Sequence, residues 1–205
     1  VAWVDENLSI GTRGWISKAW QAFYPEGLPS DWQLDYYSQY FNGVLVPENQ
    51  WRAWTDDQMI DFAEALDGEG FAFFFEVEHR LDHEGCQRLI QIKSILKTLA
   101  VGLLLKGESQ SLPETLDDYH VTLFSETNFL PGWHWQFDGQ ICSGYPLGYL
   151  LNLPSEGKLQ ASCLQSLMDS LLSSKQQKAY LFIGDDQVSI ESIQNLKIIS
   201  EVMGF

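Results

Sequence analysis

The stretch Leu8–Pro29, reading LSIGTRGWISKAWQAFYPEGLP, decides the fold. A short apolar run, Leu8-Ser9-Ile10, stops at Gly11, and a segment dense in glycine and large rings follows. Trp15, Trp20, Phe23 and Tyr24 fall close together, and Pro25 and Gly27 close the segment. Gly11 and Gly14 permit close backbone approach or positive φ. Indole N–H and phenol O–H groups need polar partners once their rings are buried. So many rings and breakers predict an ordered loop after a first strand, not a solvated connector.

Outward from that loop, helical and strand patterns alternate. Ser30-Asp31-Trp32-Gln33 predicts a capping box, and Trp32, Leu34, Tyr37 and Tyr40-Phe41 mark the helix behind it. Gly43–Val46 reads as a strand stopped by Pro47. Thr55-Asp56-Asp57-Gln58 is a second capping box; Met59, Ile60, Phe62, Ala63 and Leu66 supply its stripe, with Asp67-Gly68 as the stop. Phe71–Val77 is a nearly continuous apolar run, the pattern of a parallel strand covered on both faces. A helix is predicted over 84–98, a buried strand over 100–106 and a short turn at Pro113. The remaining strands are predicted at His120–Phe124, Tyr149–Leu153 and Ala179–Ile183, with an aromatic loop from Asn128 to Gly148. Amphipathic helices are predicted over 159–172 and near the end of the chain, where Gly204 stops the last. Seven strand candidates alternating with helices predict an α/β fold with a mostly parallel sheet, in a single domain over residues 1–205.

Composition bounds the function. The 205 residues are 45% hydrophobic and 14% aromatic, enough for a real core. A formal net charge of −16 opposes phosphate backbones and anionic membranes, so no nucleic-acid or membrane partner is expected. Cys86, Cys142 and Cys163 have no paired spacing, which favours reduced thiols in a cytoplasmic protein. No apolar run approaches the roughly 18 residues of a membrane span. The chain begins at Val1 without a basic-then-apolar leader pattern. No dinucleotide fingerprint, phosphate loop or nucleophile elbow is present.

The residues IGTRGW, then FYPEGLP and a helix with YYSQYFN, closely resemble the start of the YecE-like family, domain of unknown function 72. That pattern runs I-G-T-S-G-W, F-Y-P, Y-x-x-x-F-N-x-V-E-x-N. The resemblance continues at FAFFFEVEHRLDH and, more weakly, at AYLFIGDD. It implies a TIM-barrel-like fold with no firmly assigned activity and no assigned cofactor. The departures fall at polar positions. Val44-Leu45-Val46-Pro47 lacks the family's Glu and Asn, Glu76 stands where the family has Lys, and Gly102–Leu105 is wholly apolar. Tyr149–Pro154 lacks the family's Arg and His, and Gly184 and Asp185 replace paired asparagines. The chain between His83 and Ala100 is short for the family, which implies that one βα unit of the eight, the fourth, is missing. The expected result is about seven strands in an imperfectly closed barrel.

Reactive groups of such barrels sit at the C-terminal ends of strands. Those ends carry Glu48, Glu76, Glu78, Glu108, Glu126, Asp185 and Asp186, with His79 and His83 beside the third strand. Crowded acids could hold a divalent cation or an amine, but a chain with 28 acids also places them at loop starts by chance. His83 could be a base or a ligand, although a loop histidine bonded to backbone is the commoner case. Pro131–Asp138 could clamp a ligand or cap the barrel as packing. The candidate ligand-binding residues are Trp15, Tyr24, Glu76, His83, Glu126, Trp133 and Asp185, with no metal ligand assigned and catalytic residues unknown. The fold-bearing aromatics remain while polar mouth positions are lost. A diverged, non-catalytic binder or scaffold for a small-molecule ligand is therefore expected. A metal-assisted enzyme with a rebuilt acidic site, acting on a small or cationic substrate, is the alternative. A homo-oligomer through an exposed barrel edge is a third.

Overall fold

In the computed structural model, residues 7–20, 22–66, 68, 70–172 and 178–205 are described. Val1 and Asp67, which figured in the expectations above, lie outside them. One nine-stranded sheet organises the chain, in the order β6-β7-β5-β4-β3-β2-β1-β9-β8. Its strands are β1 (Leu8–Arg13), β2 (Gly43–Val46), β3 (Ala72–Val77), β4 (Ala100–Lys106), β5 (His120–Ser125), β6 (Trp133–Phe137), β7 (Gln140–Gly144), β8 (Leu147–Leu150) and β9 (Ala179–Ile183). Among the described residues six α-helices accompany them: α1 (Gln33–Ser38), α2 (Glu48–Ala53), α3 (Asp56–Ala65), α4 (His83–Leu96), α5 (Gly157–Leu171) and α6 (Ile190–Met203).

Each of the seven strands read from the sequence has a counterpart, the one expected at Tyr149–Leu153 lying earlier, at Leu147–Leu150, and they pair in parallel from β8 through β9, β1, β2, β3 and β4 to β5. The sheet curves into a nearly closed barrel. Phe74 of β3 lies 4.6 Å from Tyr180 and 5.4 Å from Phe182 of β9, ring to ring, although β2 and β1 separate those strands in the sheet. Contact across such a distance in the sheet requires that the rings share the interior. Glycines make the room. A methyl group at Gly102 would stand 2.8 Å from the Phe74 ring, and one at Gly11 would meet Phe182 and the Gly43 carbonyl. Large rings and bare backbone are thus complementary across one small barrel.

The parallel run is broken between β5 and β8. β3 and β4 pair directly, as they would where the unit between them is absent. The gap is filled by β6 and β7, which correct the expectation of an irregular loop from Asn128 to Gly148. β7 pairs antiparallel with β5, and β6 with β7. The turn is Asp138-Gly139, with φ of 48° and 77° at its two central residues, the geometry for which Asp-Gly is favoured between strands. That dipeptide, flanked by WHWQF and QICSG, was the missed signal; the clustered rings made the segment look like a lid.

The hairpin closes the barrel by packing. Trp135 lies against Gly148 of β8, and the Tyr149 backbone N–H donates to Cys142 Sγ at 3.3 Å. On the other side the indoles of Trp133 and Trp135 donate to Ser170 and Ser166 of α5, at 2.8 and 2.9 Å. The edge left by the missing unit is therefore covered by the chain's own hairpin.

Local signals fared unevenly. The Thr55 capping box forms as read, with Thr55 and Gln58 bonded reciprocally. The one at Ser30 does not. A single 3-10 turn at Ser30–Trp32 precedes α1, and the Ser30 hydroxyl points to Asp31 instead. Gly204 ends α6 in the left-handed conformation, as expected.

Candidate functional site

The C-terminal ends of β1, β3, β4 and β8 each deliver one polar side chain to the barrel mouth: Arg13, Glu76, Lys106 and Tyr149. Glu76 is wholly buried. Arg13 grips it with two parallel bonds, Nε to Oε2 at 2.6 Å and an Nη2 contact to Oε1 at 2.7 Å. Lys106 Nζ lies 2.9 Å from Glu76 Oε2 and donates to the Tyr149 hydroxyl at 3.3 Å. The lysine also stands over the Tyr149 ring, and that hydroxyl is packed against Gly184. Charge-assisted bonds of this kind are short and strong.

The backbone beneath the cluster is held from α2. The Trp51 indole donates to the Glu76 carbonyl at 2.8 Å. Glu48, buried at the start of α2, accepts from the backbone N–H groups of Glu78 and His79 and from Arg52. Glu48, one of the strand-end acids, thus anchors the turn after β3.

A second carboxylate sits on the rim. Glu78 lies 3.3 Å from Arg13 and 3.7 Å from Lys106, with 41% of its side chain exposed against 21% for each cation. Asp186 is 3.8 Å from the Arg13 guanidinium on the other side. Burial resists the charge of Glu76, but the bonds from Arg13 and Lys106 outweigh it, and its pKa falls below the carboxylate's ordinary value. Glu78 moves the other way. Its hydrogen bond with the Glu76 carboxylate, followed by burial, raises its pKa. Burial likewise opposes the charge of Lys106, yet Tyr149 and Glu76 keep it protonated, with its pKa raised. Tyr149 is pushed up chiefly by burial.

Beyond Glu78 and Lys106 the mouth opens into a polar groove of about 490 Å³, walled by the loops after β3 and β4. His79, Arg80, Glu108, Ser109, Gln110 and Ser111 complete its lining. Gln110 ties the walls together, accepting from Leu81 N at 2.9 Å and donating to the His79 carbonyl at 3.4 Å.

Of the residues singled out in the sequence, only Glu76 is at the centre of this cluster. Asp185 lies on the adjoining turn, where its carboxylate accepts from Gln187 N. Trp15 is buried against Trp54 and Phe62, and the Tyr24 hydroxyl donates to the Trp15 carbonyl. His83 is exposed at the start of α4, beside Cys86 in a separate groove. Glu126 accepts from Gln140, and Trp133 packs on α5. Among the described residues, no three His, Cys, Asp or Glu side chains converge as a metal site would require. Arg13, Lys106 and Tyr149 were missed. Arg13 was hidden inside the most family-like motif, and Lys106 ended a run that read as purely apolar.

The nearly closed α/β barrel with its polar groups at strand C-termini has the architecture of TIM-like proteins. The chain belongs to the family described as protein of unknown function DUF72, whose family model matches residues 9–119. The match takes in Arg13, Glu76 and Lys106 and stops before Tyr149. No curated protein and no solved structure matches the chain. Among the described residues, no helix is long and apolar enough to cross a membrane.

Proposed function

We propose that this barrel is a non-catalytic binder of a small monocarboxylate, which it holds between Arg13 and Lys106 in place of the Glu78 carboxylate. The observation that carries this is the inequality of the two glutamates. Glu76 is buried and bonded at 2.6–2.9 Å, whereas Glu78 is exposed and reaches the same cations only at 3.3 and 3.7 Å. Two cations less Glu76 leave one positive charge, which Glu78 shares with Asp186, 3.8 Å from Arg13 on the outer side, and Glu78 does so at the expense of facing a like charge. A ligand monoanion could satisfy the same balance without that chain constraint. A polyanion would meet the net charge of −16.

The absence of a catalytic role is inferred from how the groups are committed. Glu76 accepts from both cations, burial disfavours ionised Tyr149, and Lys106 is held as the ammonium. None of these three is poised to take a proton near neutrality, and Glu78, whose pKa is raised, is read as the group that a ligand displaces. Glu76 and the Asp185-Asp186 turn remain in the proposed site. Trp15, Tyr24, Glu126 and Trp133 support the scaffold around it, and His83 lies outside it. A cytoplasmic location is part of this reading, supported by three cysteines without paired spacing. The groups of the site all come from one chain, and the site is assigned to one chain.

Sodium acetate provides the test. In thermal melts at constant ionic strength, acetate raises the melting temperature saturably relative to chloride, as a ligand of the native state must. Lys106→Met, which leaves the Arg13–Glu76 pair, removes the response. An acetate curve that overlays chloride, or one unchanged in the variant, overturns the proposal.

A further inference from the structure

We infer that the monocarboxylate is polyhydroxylated, of the sugar-acid class, with its hydroxyl-bearing carbons lying in the groove beyond Glu78. This rests on the carboxylate seat proposed above and adds what fills the space next to it. The groove shares Glu78 and Lys106 with the seat, so a molecule anchored by its carboxylate there has one adjoining volume to enter, about 490 Å³.

The lining decides the chemistry. Ser109 and Ser111 each bring a hydroxyl that can donate and accept, Arg80 brings donors, and Glu108 brings an acceptor. Every side chain that lines the groove carries a polar or charged group. A hydrocarbon tail there would find little apolar surface to pack on and would strip water from these groups. A polyol chain, carrying a donor and an acceptor at each carbon, can exchange that water bond for bond. The walls are already tied by Gln110 to the His79 carbonyl and the Leu81 N–H, and the turn at Glu78 is held by Glu48. Little ordering is therefore left to oppose binding.

The distinguishing experiment compares two monocarboxylates of equal chain length, D-gluconate and hexanoate, by calorimetric titration of the full chain. Gluconate is expected to bind about ten-fold more tightly than hexanoate. The double variant Ser109→Ala/Ser111→Ala, on an exposed loop, is expected to weaken gluconate by a similar factor of about ten and to leave hexanoate unchanged. Hexanoate binding as tightly as gluconate, or gluconate indifferent to the double variant, overturns the hydroxylated class while leaving the carboxylate seat standing. Failure of both acids to bind overturns the seat and this inference together.

Discussion

Glu76→Gln is expected to destabilise the protein by about 3 kcal/mol, the lower end of the cost of removing one partner from a buried ion cluster. The substitution keeps the shape of the side chain and deletes its charge. Arg13 and Lys106 would then face each other across the mouth with the exposed carboxylates of Glu78 and, beside Arg13, Asp186 as their remaining anions. Their partial exposure lets water recover some of the loss, hence the lower end. In a chain of this size the melting temperature should fall by roughly 6–12 °C. The effect has a defined pH dependence. The pKa of Glu76 is lowered from 4.5, so its stabilisation is complete above that value and disappears as pH falls through the native pKa. Glu78, with its raised pKa, favours the fold most below 4.5 and loses that contribution as pH rises through its native value. Urea denaturation should therefore show a wide gap between wild type and Glu76→Gln at pH 7 that narrows below pH 4.5. A gap that is negligible at neutral pH, or that widens in acid, would contradict the buried-network account.

Trp135→Ala should cost about 3–5 kcal/mol, the range for deleting a buried large ring, and should also change the state of association. Trp135 covers Gly148 of β8 and is pinned to Ser166 of α5. Its removal loosens the hairpin that stands where a parallel strand is wanting, and exposes the edge of β8. An uncovered strand edge recruits another chain. Denaturation together with sedimentation velocity checks both parts. Phe129→Ala, on a residue that is 72% exposed, is the control and should stay within about 0.5 kcal/mol. Equal effects from the two variants would mean that the hairpin does not close the barrel.

How far the sequence foretold the structure depended on where each signal lay. The parallel strands were legible because they are short apolar runs bounded by breakers, and each is buried on both faces. The hairpin was illegible for a related reason. Its alternation, Trp133 and Trp135 inward with His134 and Gln136 exposed, is clear in WHWQF, but the density of rings and glycines around it reads as a loop. At the site, comparing one position at a time concealed a compensated change. The family pattern has Ser where Arg13 stands and Lys where Glu76 stands. Read singly, the reversal at Glu76 looks like loss of a polar pocket. Read as a pair 2.6 Å apart, the two changes exchange which strand carries the positive charge. Lys106 completes the exchange from β4, and no sequence spacing links residues 13, 76 and 106. The pairing of β3 with β4 and the curvature of the sheet across β2 bring them together.

The central claim is that the Glu78 carboxylate occupies an anion seat created by Arg13 and Lys106. Calorimetric titration of acetate into Glu78→Gln tests it most directly. The rim pair contributes little to stability, so the variant stays folded while the seat gains one unit of positive charge. Acetate should then bind about ten-fold more tightly than to wild type, the scale of removing one like charge a few ångströms away. Affinity that is unchanged or weaker in Glu78→Gln would contradict the account.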